Sequence, residues 1–77
     1  MGDTAKFIGR QIRKYRTQLN LSQEKLAEAA GCHPTYIGQI ERGEKNVSLE
    51  NITKISSALN VPLSKLVEGI EEREECT

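Results

Sequence analysis

Hydrophobic residues recur along the chain at spacings of three and four, which is typical of amphipathic helices. The first such segment predicts a helix from about Thr4 to Leu19, with Asp3 or Thr4 supplying the N-cap oxygen. The predicted apolar stripe of this helix consists of Ile8, Ile12, Tyr15 and Leu19. Basic side chains occupy most of its other surfaces, which is the usual composition of a solvated helix face.

A second short helix is predicted over residues 23–30. Ser22 is a good N-cap for it, and Gly31 follows it at a position where a residue without a Cβ can take the left-handed backbone that ends a helix. Its predicted inner face consists of Leu26, Ala27 and Ala30. The two alanines are small, so a following helix can cross this one closely.

Residues 31–43, GCHPTYIGQIERG, predict a tight turn, a helix over 34–42 and a stop at Gly43. Pro34 suits the first helical position because its missing N–H would have no partner there. Ile37 and Ile40 form an apolar back, and the polar front consists of Thr35, Gly38, Gln39 and Arg42. Such a front either meets water, as most polar helix faces do, or enters a DNA major groove, where Gln and Arg bond base edges.

Two further helices complete the pattern. Ser48 caps a helix whose apolar positions are Leu49, Ile52, Ile55 and Leu59. After a break at residues 60–62, a last helix over about 62–70 carries the apolar positions Leu63, Leu66, Val67 and Ile70. Residues 71–77, EEREECT, predict an acidic, flexible tail. No strand alternation is visible, so the predicted fold is all-α with five short helices.

The length of the chain and its charge distribution limit the number of domains and the kind of partner. A chain of 77 residues predicts one small domain over 1–70, and chains of this size bury only about 60% of their unfolded surface. Residues 1–46 hold eight Lys or Arg against five Asp or Glu, giving +3, whereas residues 47–77 hold three against six, giving −3. This asymmetry suits a polyanionic partner on one face.

Other classes of protein are disfavoured by the sequence. No apolar run is long enough to span a membrane and no signal peptide is visible, so we expect a cytoplasmic protein. Cys32 and Cys76 fit neither a disulfide framework nor a zinc spacing, and we expect reduced thiols of undetermined role. With His33 as the only histidine, we expect no metal, cofactor or small-molecule ligand, and no catalytic residues.

Taken in order and at their spacings, the motifs of this chain resemble the phage-repressor-like helix-turn-helix family of the Cro/Xre type. The matching strings are IRKYR, LSQEKLA, the turn glycine Gly31, TYIGQIERG, NVSLENITKISSALNV and LSKL, which together extend from Ile8 to Val67. The chain looks most like restriction–modification controller proteins and small prophage or plasmid repressors. The resemblance implies a lambda-repressor-like fold with the helix-turn-helix at about 22–42.

The resemblance also implies roles for individual residues. Bases would be read by Thr35 and Gln39, with His33 joining from the N-cap. DNA phosphates would be bound by Gln23, Arg16, Tyr36, Gly38, Arg42, Lys45 and Asn46, and Arg16 would pair with Glu41 to tie the first helix to the end of the third. Pro34 stands where the family often has a longer polar residue, and Gly38 where it usually has Ser. Both departures leave the preferred operator open.

The function implied is a homodimeric transcription regulator that binds an inverted-repeat operator on double-stranded DNA, on the nucleoid, and blocks or contacts RNA polymerase. The stripe at 62–70 is the candidate dimer surface, with core packing as the alternative for part of it. The rival function is a protein-interaction module, such as an antitoxin or an antagonist of a regulator, for which DNA binding is secondary. Operator sequence, sign of regulation and any effector stay undetermined by sequence.

Overall fold

A computed structural model describes the backbone of residues 2–68 and the side chains of residues 4–68. Over this range the chain forms five helices and no strand, as the hydrophobic spacing predicts. The helices are α1 (Gly2–Gln18), α2 (Gln23–Ala30), α3 (Pro34–Glu41), α4 (Leu49–Leu59) and α5 (Leu63–Val67). The predicted Ile70 and acidic tail, together with Cys76, lie outside the described residues.

Local capping chemistry sets most of the helix boundaries. The Ser22 hydroxyl accepts a 3.0 Å hydrogen bond from the Lys25 N–H, and the Ser48 hydroxyl accepts a 3.2 Å bond from the Asn51 N–H. Each bond satisfies one of the N–H groups that a helix start leaves without an intrahelical partner. Gly31 ends α2 with φ of 75°, in the left-handed region that glycine adopts without steric cost. The predicted caps at Ser22 and Ser48, the end of α2 before Gly31 and the break after Leu59 are confirmed.

The core is formed by residues from all five helices. α1 packs against α3 and α5, while α2 packs against α3 and α4. Ala27 and Ala30 are buried at 0% and 7% exposure, and their small side chains allow α3 to cross α2 closely. The large side chains that are fully buried are Ile12, Leu26, Ile37, Ile40, Ile55, Leu59 and Leu66.

Three sequence-based expectations about α1 and α4 are wrong. α1 already includes Asp3 and Thr4, so neither residue is an N-cap. Leu19 is 48% exposed because α1 ends at Gln18 and the chain turns before Leu19 reaches the core. Leu49 is 74% exposed because it is the first residue of α4, which meets the core only at Ile52.

The last helix divides the predicted dimer surface. Leu66 is completely buried within the chain, so its assignment to an interface is corrected to core packing. Leu63 and Val67 are half-buried and pack only partly against the core. α5 ends at Val67, where Glu68 takes an extended backbone, three residues before the predicted end. Within the described residues, no helix has the length and apolar character needed to cross a membrane.

Candidate functional site

The start of α3 is built by His33 and Pro34. His33 is the N-cap, and its Nδ1 accepts a 3.1 Å hydrogen bond from the Thr35 N–H, while Pro34 takes the first turn. Because Nδ1 is the acceptor, the proton of the neutral imidazole is on Nε2, which is then a donor. His33 and Thr35 are both exposed. The N-terminal end of α3 therefore presents one imidazole N–H and one hydroxyl to the outside.

The two faces of α3 are divided as the spacing predicts. Ile37 and Ile40 are buried at 0% and 1% exposure against the core. Gln39 is half-buried and lies on the same outward side as Thr35. A rigid apolar back thus fixes the direction of a small polar front, although Gly38, predicted to belong to that front, behaves differently.

Gly38 is buried, so the expectation that it lies exposed on the helix front is wrong. A Cβ at this position would lie 3.2 Å from Arg42 Nη1 and 3.4 Å from Gln23 Oε1. The side chains of Gln23 and Arg42 therefore both lie over the position where a Gly38 side chain would begin. The role of Gly38 in phosphate binding stays a prediction, and it concerns a backbone that these two polar side chains overlie.

A hydrogen-bonded cluster of Arg16, Glu41 and Gln23 anchors the end of α3. Arg16 donates to both Glu41 oxygens, from Nε at 2.6 Å and from Nη2 at 3.1 Å, and its Nη1 donates to the Leu21 carbonyl at 2.7 Å. The Gln23 amide donates a 3.0 Å bond to Glu41 Oε1. The predicted tie between α1 and α3 is confirmed. Because all three guanidinium nitrogens bond within the protein, the predicted phosphate contact of Arg16 stays a prediction beside this structural role.

The segment after α3 carries exposed polar and basic side chains. Arg42 donates to Glu44 from Nε at 2.9 Å and from Nη2 at 3.2 Å. These hydrogen bonds raise the pKa of the Arg42 guanidinium and lower the pKa of the Glu44 carboxyl. Lys45 and Asn46 are exposed in the loop that follows. The loop therefore offers two cations, of which one is held by a neighbouring carboxylate.

Tyr36 is joined to α4 by a residue that the sequence did not single out. The Asn51 side-chain amide donates a 2.9 Å hydrogen bond to the Tyr36 hydroxyl. Because the phenol oxygen is the acceptor, its own hydrogen is free to be donated elsewhere. No motif signals this pairing, since the two residues are brought together only because α3 and α4 both pack against α2.

Other chemistry at this surface is limited. Burial raises the pKa of the Cys32 thiol, and the positive charge of Lys54 partly opposes this shift. A thiol with a raised pKa is a weak nucleophile. Residues 4–68 contain no group of three His, Cys, Asp or Glu side chains that could hold a metal ion.

Comparison with known proteins gives the same fold and the same arrangement of helices. A family model described as helix-turn-helix matches residues 12–66. Control protein C.BamHI of Bacillus amyloliquefaciens is 51% identical over 62 residues, which cover 79% of this chain and 76% of that protein.

Solved structures extend the likeness to three dimensions. The restriction–modification controller protein C.AhdI of Aeromonas hydrophila superposes with a TM-score of 0.79 at 42% identity, covering 80% of this chain and 94% of that one. The P22 c2 repressor, solved in complex with a synthetic operator, superposes with a TM-score of 0.75 at 32% identity over the same shares of the two chains. The lambda-repressor-like fold is thereby confirmed.

Proposed function

Because this chain belongs to the Cro/Xre-type helix-turn-helix family of DNA-binding transcriptional regulators, which are not enzymes, we propose that it binds an inverted-repeat operator as a homodimer. It controls transcription in the cytoplasm by blocking RNA polymerase or contacting it. The observation that supports this most is the short helix α3, whose apolar back is buried while His33 and Thr35 are exposed and Gln39 is half-buried on the outward side. The similarity to restriction–modification control proteins favours a controller role.

Base reading is assigned to the outward-facing polar side chains of α3 and of its N-cap residue His33. The Gln39 amide has the donor and acceptor needed to bond adenine N7 and N6 in the major groove. Thr35 offers a hydroxyl and a methyl group, and the His33 Nε2 proton suits guanine N7 or O6. His33 already caps the helix through Nδ1, so its ring is held in one orientation before DNA arrives.

Phosphate binding is assigned to the side chains around this front. Gln23 and Arg42 overlie Gly38, Lys45 and Asn46 follow in the loop, and the Tyr36 hydroxyl has a free hydrogen. One N–H of the Gln23 amide bonds Glu41, and the other is available to a phosphate oxygen. These contacts position the protein on the duplex without reading its sequence.

Two substitutions test the division of roles. Gln39→Ala should lose discrimination at one base position, at a cost of about 1–3 kcal/mol on the specific site. Lys45→Ala should weaken binding to all sequences alike and reduce the slope of log K against log salt by about one. Both are measured by fluorescence anisotropy on operator and mixed-sequence duplexes. If the two variants change both duplexes identically, the assignment is wrong, and if the unaltered protein binds neither duplex, the protein-interaction alternative is favoured.

Dimerisation is assigned to the outer side of α5. One short helix meets only a few base pairs, so tight specificity needs two half-sites about one helical turn apart. Leu63 and Val67 are half-buried apolar residues beside the fully buried Leu66. Val67→Glu should give a folded protein that sediments as a monomer in sedimentation velocity and binds the operator more weakly. Leu66→Glu should instead unfold the chain. A dimer unaffected by Val67→Glu would place the interface elsewhere.

A further inference from the structure

α1 crosses the C-terminal end of α3 so closely that only glycine fits at the crossing. Gly9 is buried, and a Cβ on it would overlap the carbonyl oxygen of Ile40 and lie 2.9 Å from that of Glu41. The N-terminal half of α1 is thereby held against the last turn of α3. A side chain one turn before Gly9 on the same side of α1 therefore lies at the edge of the loop that follows α3.

Lys6 is the side chain in that position. Gly43 has φ of 75°, and a Cβ on it would lie 2.5 Å from Lys6 Cγ and 3.1 Å from Lys6 Cα. The aliphatic stem of Lys6 therefore lies across the bare backbone of Gly43. This second glycine is required both for its left-handed backbone and for the room that Lys6 occupies.

The ammonium group of Lys6 is available for an external partner. Lys6 is exposed, and the ion pairs formed among residues 4–68 do not include it. Gly43, on which its stem rests, follows Arg42 and precedes the exposed Glu44 and Lys45, and Glu44 is already paired with Arg42. A lysine with its stem packed and its charge in solvent is a typical cation for a polyanion surface.

We propose that Lys6 binds a DNA phosphate and extends the contact surface of the 42–46 loop onto α1. This inference rests on the proposed function, since it requires that the loop face a duplex. The contact reads no base. It adds one phosphate per protomer to the footprint, at the edge of the site that the loop defines.

The test compares two lysines of the same helix. Lys6→Met keeps an unbranched stem over Gly43 and removes the charge. Lys14→Met removes the same charge from a position about 12 Å along the axis and about 80° around it, beside the Tyr15 ring. Lys6→Met should weaken binding to mixed-sequence and operator duplexes alike, by about fivefold to tenfold at about 50 mM salt, and reduce the salt slope by about 0.9 per protomer. Lys14→Met should change the slope much less.

Four results separate the outcomes. Lys6→Arg should restore the slope, because a guanidinium supplies the same charge from the same stem position. Equal slopes for Lys6→Met, Lys14→Met and the unaltered protein would overturn the inference and leave the proposed function standing. If Lys6→Met lowers the unfolding midpoint but leaves the salt dependence of DNA binding unchanged, the inference is also overturned, because Lys6 then only stabilises the end of α3. Absence of DNA binding by the unaltered protein would overturn both proposals.

Discussion

Two arginine–carboxylate pairs lie at the end of α3, and they differ in burial. Arg16 and Glu41 are 2.6 Å apart with side-chain exposures of 12% and 3%. Arg42 and Glu44 are 2.9 Å apart with exposures of 58% and 54%. The first pair joins residues 25 positions apart in sequence, whereas the second joins residues two positions apart. The same two functional groups thus form a connection between helices in one place and a local surface contact in the other.

Burial decides what each pair does. Glu41 accepts three hydrogen bonds, and losing one partner would leave a charge in a poorly solvated position. Water competes freely for Arg42 and Glu44, so their attraction adds little to folding. Arg42 is therefore free to exchange Glu44 for a phosphate, while Arg16 fixes the C-terminal end of α3 relative to α1.

The largest effect is expected for Glu41→Ala. It leaves the Arg16 guanidinium without its main partner and should lower the free energy of unfolding by about 3 kcal/mol, measured by urea denaturation. The double variant Arg16→Met, Glu41→Leu should be more stable than Glu41→Ala, because no unpaired charge is left. If Glu41→Ala is as stable as the unaltered protein, the buried pair contributes no more to the free energy of unfolding than the exposed pair does.

A smaller effect is expected for Gly38→Ala, which lies between the two pairs. Replacing a glycine inside a helix by alanine stabilises by up to about 1 kcal/mol, and the new methyl group meets only the ends of flexible side chains. The thermal midpoint should therefore rise. DNA affinity should fall slightly, because Gln23 and Arg42 are displaced. If the thermal midpoint and the DNA affinity, measured by anisotropy, both rise or both fall, the expected separation of stability from binding is contradicted.

The smallest effect is expected for Glu44→Gln. Unfolding should be almost unchanged, and affinity for all duplexes should rise about twofold to threefold at low salt, because Arg42 loses a competing carboxylate. Arg42 lowers the pKa of Glu44, so Glu44 stays ionised at pH values below the ordinary glutamate range. The difference in affinity between Glu44→Gln and the unaltered protein should persist to those pH values. Glu28→Gln, which removes the same charge from α2, is the control and should give a smaller gain.

The sequence predicts those features whose cause is local. The caps at Ser22 and Ser48 and the left-handed Gly31 depend on backbone groups within three or four residues, so short motifs are sufficient to find them. The resemblance to a family added the tie between Arg16 and Glu41, which no local pattern contains. It also supplied the roles of the exposed residues on α3, which await the binding measurements described above.

Features that depend on neighbouring helices were not predictable in this way. Leu49 is on the apolar period of α4 but precedes the point where that helix meets the core. Gly38 is on the polar period of α3 but is covered by Gln23, which comes from the start of α2. The bond from Asn51 to Tyr36 depends on how α3 and α4 each pack against α2. Periodicity assigns a residue to one face of a helix, and only packing shows what covers that face.

The dependence of α3 on α1 has a consequence for engineering. α3 has eight residues, and isolated helices shorter than about 12–15 residues are only marginally stable in water. Its last turn rests on Gly9 and on the guanidinium of Arg16, which both come from α1. A fragment of residues 22–42 grafted onto another scaffold would therefore lack the support that orders it. If Thr35 and Gln39 read bases as proposed, exchanging them within the intact chain is the better way to retarget this molecule to a new duplex sequence.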